Sequence, residues 1–362
     1  MQVWGATVVS DKPPATKGWG RWTVGVDAVG VCSETPGGPG AVGDLRSSAL
    51  AVSIGEFTLA NPVMPASGCF GPELSALIDV GRLGAVVTKT VFAEPRGGNP
   101  AHRLAETDGG MLNSVGIPSV GLQEFRESVL PSYLRTEAPV VVSIGGTTID
   151  GYWGIAEELE GLGHSALELN VSCPNLDEGG LEIGIDPRAV ARVTRGVVDR
   201  TTLPVFVKLT PNVSDIAEIA LAASDAGARA VTVANTIVGM AIDIRTRQPR
   251  LGNVVGGFSG RAVKPIILRL VNRARTVTGL PVIGCGGIYS AEDVVEYMLA
   301  GASAVQVGTA TFTDPRTMER ILDSLPGLLS QLGVADIGEL VGAMETGAME
   351  TVVQSVEIEE AS

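Results

Sequence analysis

The sequence predicts an α/β protein, a (β/α)8 TIM barrel with a short N-terminal hairpin and long loops at its C-terminal mouth. Three observations carry this. Apolar runs alternate with amphipathic segments, and eight such units succeed one another. The apolar runs are continuous, as in strands buried on both faces of a parallel sheet covered by helices. The chain has 362 residues, 45% of them hydrophobic, which is ample for one barrel core. A doubly wound open sheet is the competing architecture.

Residues 1–46 are rich in Gly, Pro, Ser and Thr, as in Thr35-Pro36-Gly37-Gly38-Pro39-Gly40, and show no sustained period, so a mobile extension is expected there. The barrel domain is expected over 47–345, opening with a hairpin through Val52-Ser53-Ile54-Gly55-Glu56-Phe57-Thr58-Leu59. Strands are predicted at 62–66, 85–91, 139–145, 166–172, 204–210, 230–235, 281–285 and 304–308. Helices are predicted at 73–82, 120–135, 149–162, 187–200, 214–227, 262–278, 291–300 and 316–332. The connections 92–119 and 236–261 are unusually long and fall at the C-terminal mouth, where function usually sits in this fold. Residues 346–362, with Val356-Glu357-Ile358-Glu359-Glu360, read as an acidic mobile tail.

A net charge of −14 argues against a nucleic-acid partner, because phosphate binding wants a basic surface. No apolar run reaches membrane-spanning length and no signal core opens the chain, so a soluble cytoplasmic protein without membrane contact is expected. Cys32, Cys69, Cys173 and Cys285 are scattered without CxxC spacing, so no iron–sulfur cluster or zinc is expected on this chain. With two histidines, His102 and His164, a Ser-His-Asp triad is a poor fit.

Chemistry concentrates at predicted strand ends. Asn170-Val171-Ser172-Cys173-Pro174-Asn175 sets one thiol between carboxamides, a pattern suited to a proton-abstracting Cys base beside groups that orient a planar polar substrate. A half-buried Cys in an ordinary turn is the bland alternative. The glycine-rich tract Asp177-Glu178-Gly179-Gly180 follows, flexible enough for a loop that opens and closes. After the seventh and eighth strands come Gly284-Cys285-Gly286-Gly287 and Gly308-Thr309, turns through which backbone N–H groups can approach a phosphate. Gly256-Gly257-Phe258-Ser259-Gly260 can complete that cradle. Lys89 and Lys208 sit inside apolar strands, where a lysine is costly unless it meets an anion, so both are expected to point into the mouth toward a carboxylate or an electron-rich ring. Asn113, Asn170, Asn175, Asn235 and Thr236 add neutral donors and acceptors able to read a uracil-like heterocycle.

Over roughly residues 49–345 the chain resembles the class 1 dihydroorotate dehydrogenase catalytic subunits. The resemblance rests on Pro65-Ala66-Ser67-Gly68, Lys89-Thr90, Gly98-Asn99-Pro100, Met111-Leu112-Asn113, Asn170 to Asn175, Val207-Lys208-Leu209 and Gly284-Cys285-Gly286-Gly287. It implies FMN across the barrel mouth, with dihydroorotate stacked on it and Cys173 as the base at C5. Lys89, Asn113, Asn170, Asn175, Asn235 and Thr236 would then bind substrate. Ser67, Lys89, Thr90, Asn170, Lys208, Gly260, Gly286, Gly287, Gly308 and Thr309 would hold the cofactor. Thr246-Arg247-Gln248-Pro249 and the following glycine cluster are most similar to the class 1B form. That form implies a partner subunit carrying FAD and [2Fe–2S], NAD as final acceptor, and a homodimer within a heterotetramer. The alternatives are the fumarate-using class 1A form, dihydropyrimidine dehydrogenase, dihydrouridine synthase, and a non-catalytic barrel that binds a phosphate ligand.

Overall fold

The structure is a computed structural model that describes residues 49–172 and 183–345. Its parallel sheet holds eight strands: β1 (Val63–Pro65), β2 (Val86–Val87), β3 (Val140–Ile144), β4 (Ala166–Asn170), β5 (Val205–Lys208), β6 (Ala230–Val233), β7 (Val282–Cys285) and β8 (Ala302–Val307). The strand order is 1-8-7-6-5-4-3-2. The Gly84 N–H donates to the Val63 carbonyl at 2.9 Å, which brings β2 against β1 and closes a (β/α)8 barrel. All eight strands coincide with predicted ones. Every residue of β3, β4, β5 and β6 is buried, which is why each reads as a mainly apolar run with one or two polar residues set into it. The predicted hairpin pairs Val52–Ile54 with Phe57–Leu59.

The helices are bounded by residues suited to the task. Thr148, Asp186 and Asp215 each accept a backbone N–H at the starts of Ile149–Leu159, Pro187–Val198 and Ile216–Asp225. Gly279 and Gly333, at φ of 66° and 70°, end Lys264–Thr278 and Thr317–Leu332.

Three predictions need correction. The segment 73–82 forms two short 3-10 helices, Pro72–Ala76 and Val80–Arg82, split where Asp79 leaves the helical region and caps the second. The segment 120–135 is helical but contains a π-turn, Phe125–Val129, in which the Leu130 N–H donates to the Phe125 carbonyl. Pro131, in the first turn of the following Leu130–Leu134, has no N–H to give, and its ring would crowd the Glu127 carbonyl in a regular α-helix. The wider turn removes that conflict. Finally, the long connections are not loops throughout. Ile237–Gly239, Gly256–Ser259, Gly110–Asn113 and Leu104–Thr107 form, in that order, a four-stranded antiparallel sheet.

His164, just before β4, is buried and neither ring nitrogen has a hydrogen-bond partner among the described residues. Desolvation lowers its pKa, with Glu160 opposing. An unfolded-state histidine near 6.5 therefore takes up a proton that the native one resists, so native stability is full above about pH 6.5 and declines as pH falls below it. Denaturant midpoints followed from pH 7 to 5 should fall less steeply in His164→Leu than in wild type, by up to about 1.4 kcal/mol per pH unit. Parallel curves would show that another group drives the decline.

Candidate active site at the barrel mouth

The C-terminal end of β4 is wired to its neighbours on both sides. The Asn170 carbonyl accepts from the Tyr152 hydroxyl at 2.8 Å, which anchors the strand end to the helix behind it. The Asn170 Nδ2 donates to Thr90 Oγ1 at 3.2 Å, and Thr90 shares a 2.9 Å hydrogen bond with Ser143. The Asn170 Oδ1 accepts from Ser172 Oγ at 2.8 Å and from Asn235 Nδ2 at 3.4 Å. Asn235 also donates to Ser172 Oγ, and its Oδ1 accepts the Thr236 N–H at 2.8 Å. Both carboxamides therefore have a defined donor end and acceptor end. Asn212 holds the next stretch, donating to the Thr236 carbonyl at 3.1 Å and accepting the Val238 N–H at 2.9 Å.

The antiparallel sheet brings Asn113 and Thr236 to one place. Asn113 pairs with Gly257 across the sheet, and its Nδ2 donates to the Gly257 carbonyl at 3.2 Å. Gly257 has no side chain because a Cβ there would lie 1.9 Å from Thr236 Oγ1 and 2.6 Å from its Cβ. Gly257→Ala should therefore displace Thr236 while sparing the barrel. Thermal unfolding should show a Tm nearly unchanged, and a Tm several degrees lower would show that the sheet pairing itself depends on Gly257.

The two lysines differ more than expected. Lys89 is exposed and has no carboxylate within ion-pair reach among the described residues. Its Nζ lies 3.8 Å from where a Cβ on Gly68 would stand. Desolvation lowers its pKa, with Cys69 opposing. Lys208 does not stand free in the mouth. It is buried inside the barrel, donating to Gln306 Oε1 at 2.8 Å and Ser67 Oγ at 3.4 Å, with Glu168 Oε1 at 3.9 Å. The anion it meets is thus internal, a residue of β4. Two thiols lie near this cluster: burial pushes Cys69 up to about 11 despite Lys208 and Lys89, and raises Cys285 as well.

The glycine turns meet on the other side. Gly286 and Gly287 have φ of 148° and 71°, and a Cβ on Gly287 would lie 3.0 Å from the Gly260 carbonyl and 2.8 Å from Lys264 Cβ. The turn is tied down from beneath. Tyr297 donates its hydroxyl to the Gly286 carbonyl at 2.5 Å, and Asp293 Oδ2 accepts the N–H groups of Tyr289 and Ser290 at 2.8 and 3.0 Å. Lys264 donates to Asp293 Oδ1 at 2.7 Å, and the Arg261 guanidinium stacks 4.1 Å from the Tyr289 ring centre. Thr309, after β8, donates to Ser259 Oγ at 2.8 Å, so the β8 turn reaches the same strand of the antiparallel sheet. Gly308 stands against Ala66 and Cys69 of the β1 turn.

Cys173 and Asn175 lie outside the described residues. The remaining candidates fall into three neighbouring groups: Thr90, Asn170, Asn235, Thr236 and Asn113; Ser67, Lys208 and Lys89; and Gly260, Gly286, Gly287, Gly308 and Thr309. Sequence reasoning missed Ser143, Ser172, Asn212, Glu168 and Gln306. The last two had a readable signal, since each is a polar residue inside an otherwise apolar barrel strand, like Lys208 itself.

The fold and these groups define a (β/α)8 barrel whose mouth joins a set of glycine turns to the Lys89 ammonium and oriented amides, with Lys208 buried beneath. The chain belongs to the dihydroorotate dehydrogenase family, whose pattern its residues 49–329 match. It is 48% identical over 297 residues to a protein of Desulforamulus reducens, covering 81% of this chain and 98% of the relative. It is 47% identical over 300 residues to one of Geobacter sulfurreducens, covering 82% and 98%. Both relatives are named dihydroorotate dehydrogenase B (NAD(+)), catalytic subunit.

Proposed function

We propose that this chain oxidises (S)-dihydroorotate to orotate in pyrimidine biosynthesis, as the FMN-binding catalytic subunit of a class 1B dihydroorotate dehydrogenase. The observation that supports it most is the network joining Asn170, Ser172 and Asn235 at the end of β4, immediately before Cys173. It supplies oriented amides for a pyrimidine ring at a strand end that Cys173 follows in sequence.

The residues suit FMN. Gly286, Gly287 and Gly260 form a close-walled turn that a Cβ would fill, as phosphate contact through backbone N–H groups requires. Gly308 and Thr309 add a second turn to the phosphate end. Ser67, Thr90 and Lys208 would hold the ring end, with Asn170 shared between cofactor and substrate. When bound, FMN accepts the electron pair that leaves with the C6 hydrogen of dihydroorotate.

The chain's own residues do the rest. Cys173 removes the C5 proton. Lys89, with no carboxylate partner among the described residues, holds the substrate carboxylate. Asn113, Asn170, Asn175, Asn235 and Thr236 fix the ring so that C5 meets the thiol. Electrons then pass to NAD through a partner subunit that carries FAD and a [2Fe–2S] cluster, and two catalytic subunits pair within a heterotetramer in the cytoplasm. No helix among the described residues is long and apolar enough to cross a membrane.

Anaerobic titration of the purified chain with dihydroorotate, followed at the flavin's visible maximum, tests the reading. Stoichiometric bleaching is expected, and reoxidation by NAD should need the partner whereas fumarate should be inert. A flavin that dihydroorotate leaves oxidised would move the substrate assignment elsewhere.

A further inference from the structure

Three polar side chains on three barrel strands form one buried unit: Glu168 on β4, Lys208 on β5 and Gln306 on β8, only 0%, 3% and 1% exposed. Gln306 stands between the charges. Its Oε1 accepts from the Lys208 ammonium at 2.8 Å, and its Nε2 donates to Glu168 Oε2 at 2.5 Å. The opposite amide orientation would set NH2 against the ammonium and oxygen against the carboxylate, so only one is tolerated. Thr232 holds the same carboxylate oxygen, donating at 3.0 Å. The other, Oε1, accepts no hydrogen bond among the described residues and lies 3.9 Å from Lys208 Nζ, near enough for strong attraction in a dry site but too far for a direct bond. Lys208 is thereby kept from collapsing onto Glu168, with an N–H left for Ser67 at the floor of the mouth.

We infer that Glu168 and Gln306 are positioning residues that set the reduction potential of the flavin: Glu168 offsets the Lys208 charge, and Gln306 keeps that charge turned toward the mouth. The inference rests on the proposal that the mouth holds flavin. Its physical basis is that charges in a low-dielectric interior act over several ångströms with little screening. Removing the carboxylate leaves an uncompensated positive charge, which favours the electron-rich, reduced cofactor. Removing the bridging amide lets Lys208 close the remaining gap to Glu168, which withdraws positive charge from the mouth.

The two substitutions therefore act with opposite sign. Flavin midpoint potentials should be measured by dye-coupled reduction on the flavin-loaded protein at pH 7. Glu168→Gln should shift the reduced-to-oxidised ratio at fixed potential at least tenfold toward reduced, about 30 mV for a two-electron couple. Gln306→Leu should shift it at least tenfold toward oxidised. Local damage without a charge role does not produce opposite signs, so shifts in one direction, or no shift in either variant, overturn the inference. If Glu168→Gln fails to fold, Gln306→Leu decides alone, and a potential unchanged or raised overturns it.

A purified wild-type chain that binds no flavin would overturn the flavin reading instead. In that case thermal unfolding of the flavin-free protein tests the charge arrangement: Glu168→Gln and Lys208→Met should each lower Tm, and the double variant should recover part of the loss. Additive losses would overturn the pairing itself.

Discussion

Cys173→Ala is expected to slow reduction of the bound flavin by dihydroorotate about 10²–10⁴-fold, the usual contribution of a positioned base. Flavin content should not change, because the glycine turns and Lys208 are untouched. The check is stopped-flow reduction under anaerobic conditions, wild type against variant. A cysteine base also predicts a wild-type rate that climbs with pH above neutrality as the thiol ionises. The two described thiols do not confuse this profile: Cys69 is pushed up to about 11 and Cys285 is raised by burial, so a rise below pH 9 belongs to another group. Equal reduction rates in variant and wild type would leave Cys173 without a role and return attention to the ring of amides.

The second large effect is expected at Gly284→Ala. A Cβ there would lie 2.2 Å from Tyr297 Cδ1 and 2.8 Å from Cε1, inside the van der Waals radius of a fully buried ring. Tyr297 cannot yield without drawing its hydroxyl away from the Gly286 carbonyl, which it meets at 2.5 Å. Overpacking of this kind costs about 1–3 kcal/mol. Stranding the buried hydroxyl adds about 1–3 kcal/mol. The damage falls on the turn that bears Gly286 and Gly287, so stability and cofactor retention should fail together. Thermal unfolding should show a Tm several degrees lower, and the visible-to-ultraviolet absorbance ratio should show that most flavin is lost on gel filtration. A variant that retained its flavin despite the lower Tm would separate the turn's structural task from any part in holding phosphate.

How far the sequence could be read depends on which physical signal each element leaves. The eight barrel strands were legible because both faces are buried, so Val140 to Val142 or Val205 to Val207 carry no polar interruption. The antiparallel sheet left no such trace. Gly110–Asn113 and Gly256–Ser259 are half-buried and glycine-rich, and their pairing comes from backbone contacts between residues far apart in the chain, so neither period nor propensity marks them. The helix predicted over 73–82 has an apolar pattern, but Gly81 and the Asp79 cap favour short turns. At the site, Asn170 and Asn235 were recognised as polar groups at strand ends. Their mutual hydrogen bonds, and the role of Ser172 between them, depend on lateral neighbours that only barrel closure supplies. Glu168 shows the same limit: one carboxylate in an apolar strand gives no hint of which lysine it faces until the strand order is known.

The strand Gly256–Ser259 lies between Ile237–Gly239 and Gly110–Asn113, and so stitches the connection after β6 to the connection after β2. These two stretches are consequently one heritable part. An insertion, deletion or graft confined to either would shear the register of the other and strand a row of backbone amides that only its partner can satisfy. Anyone reshaping the mouth for a different heterocycle should exchange both stretches as a matched pair, keeping the glycines at their crossing, and should expect single-connection chimaeras to aggregate through the opened edge rather than acquire a new specificity.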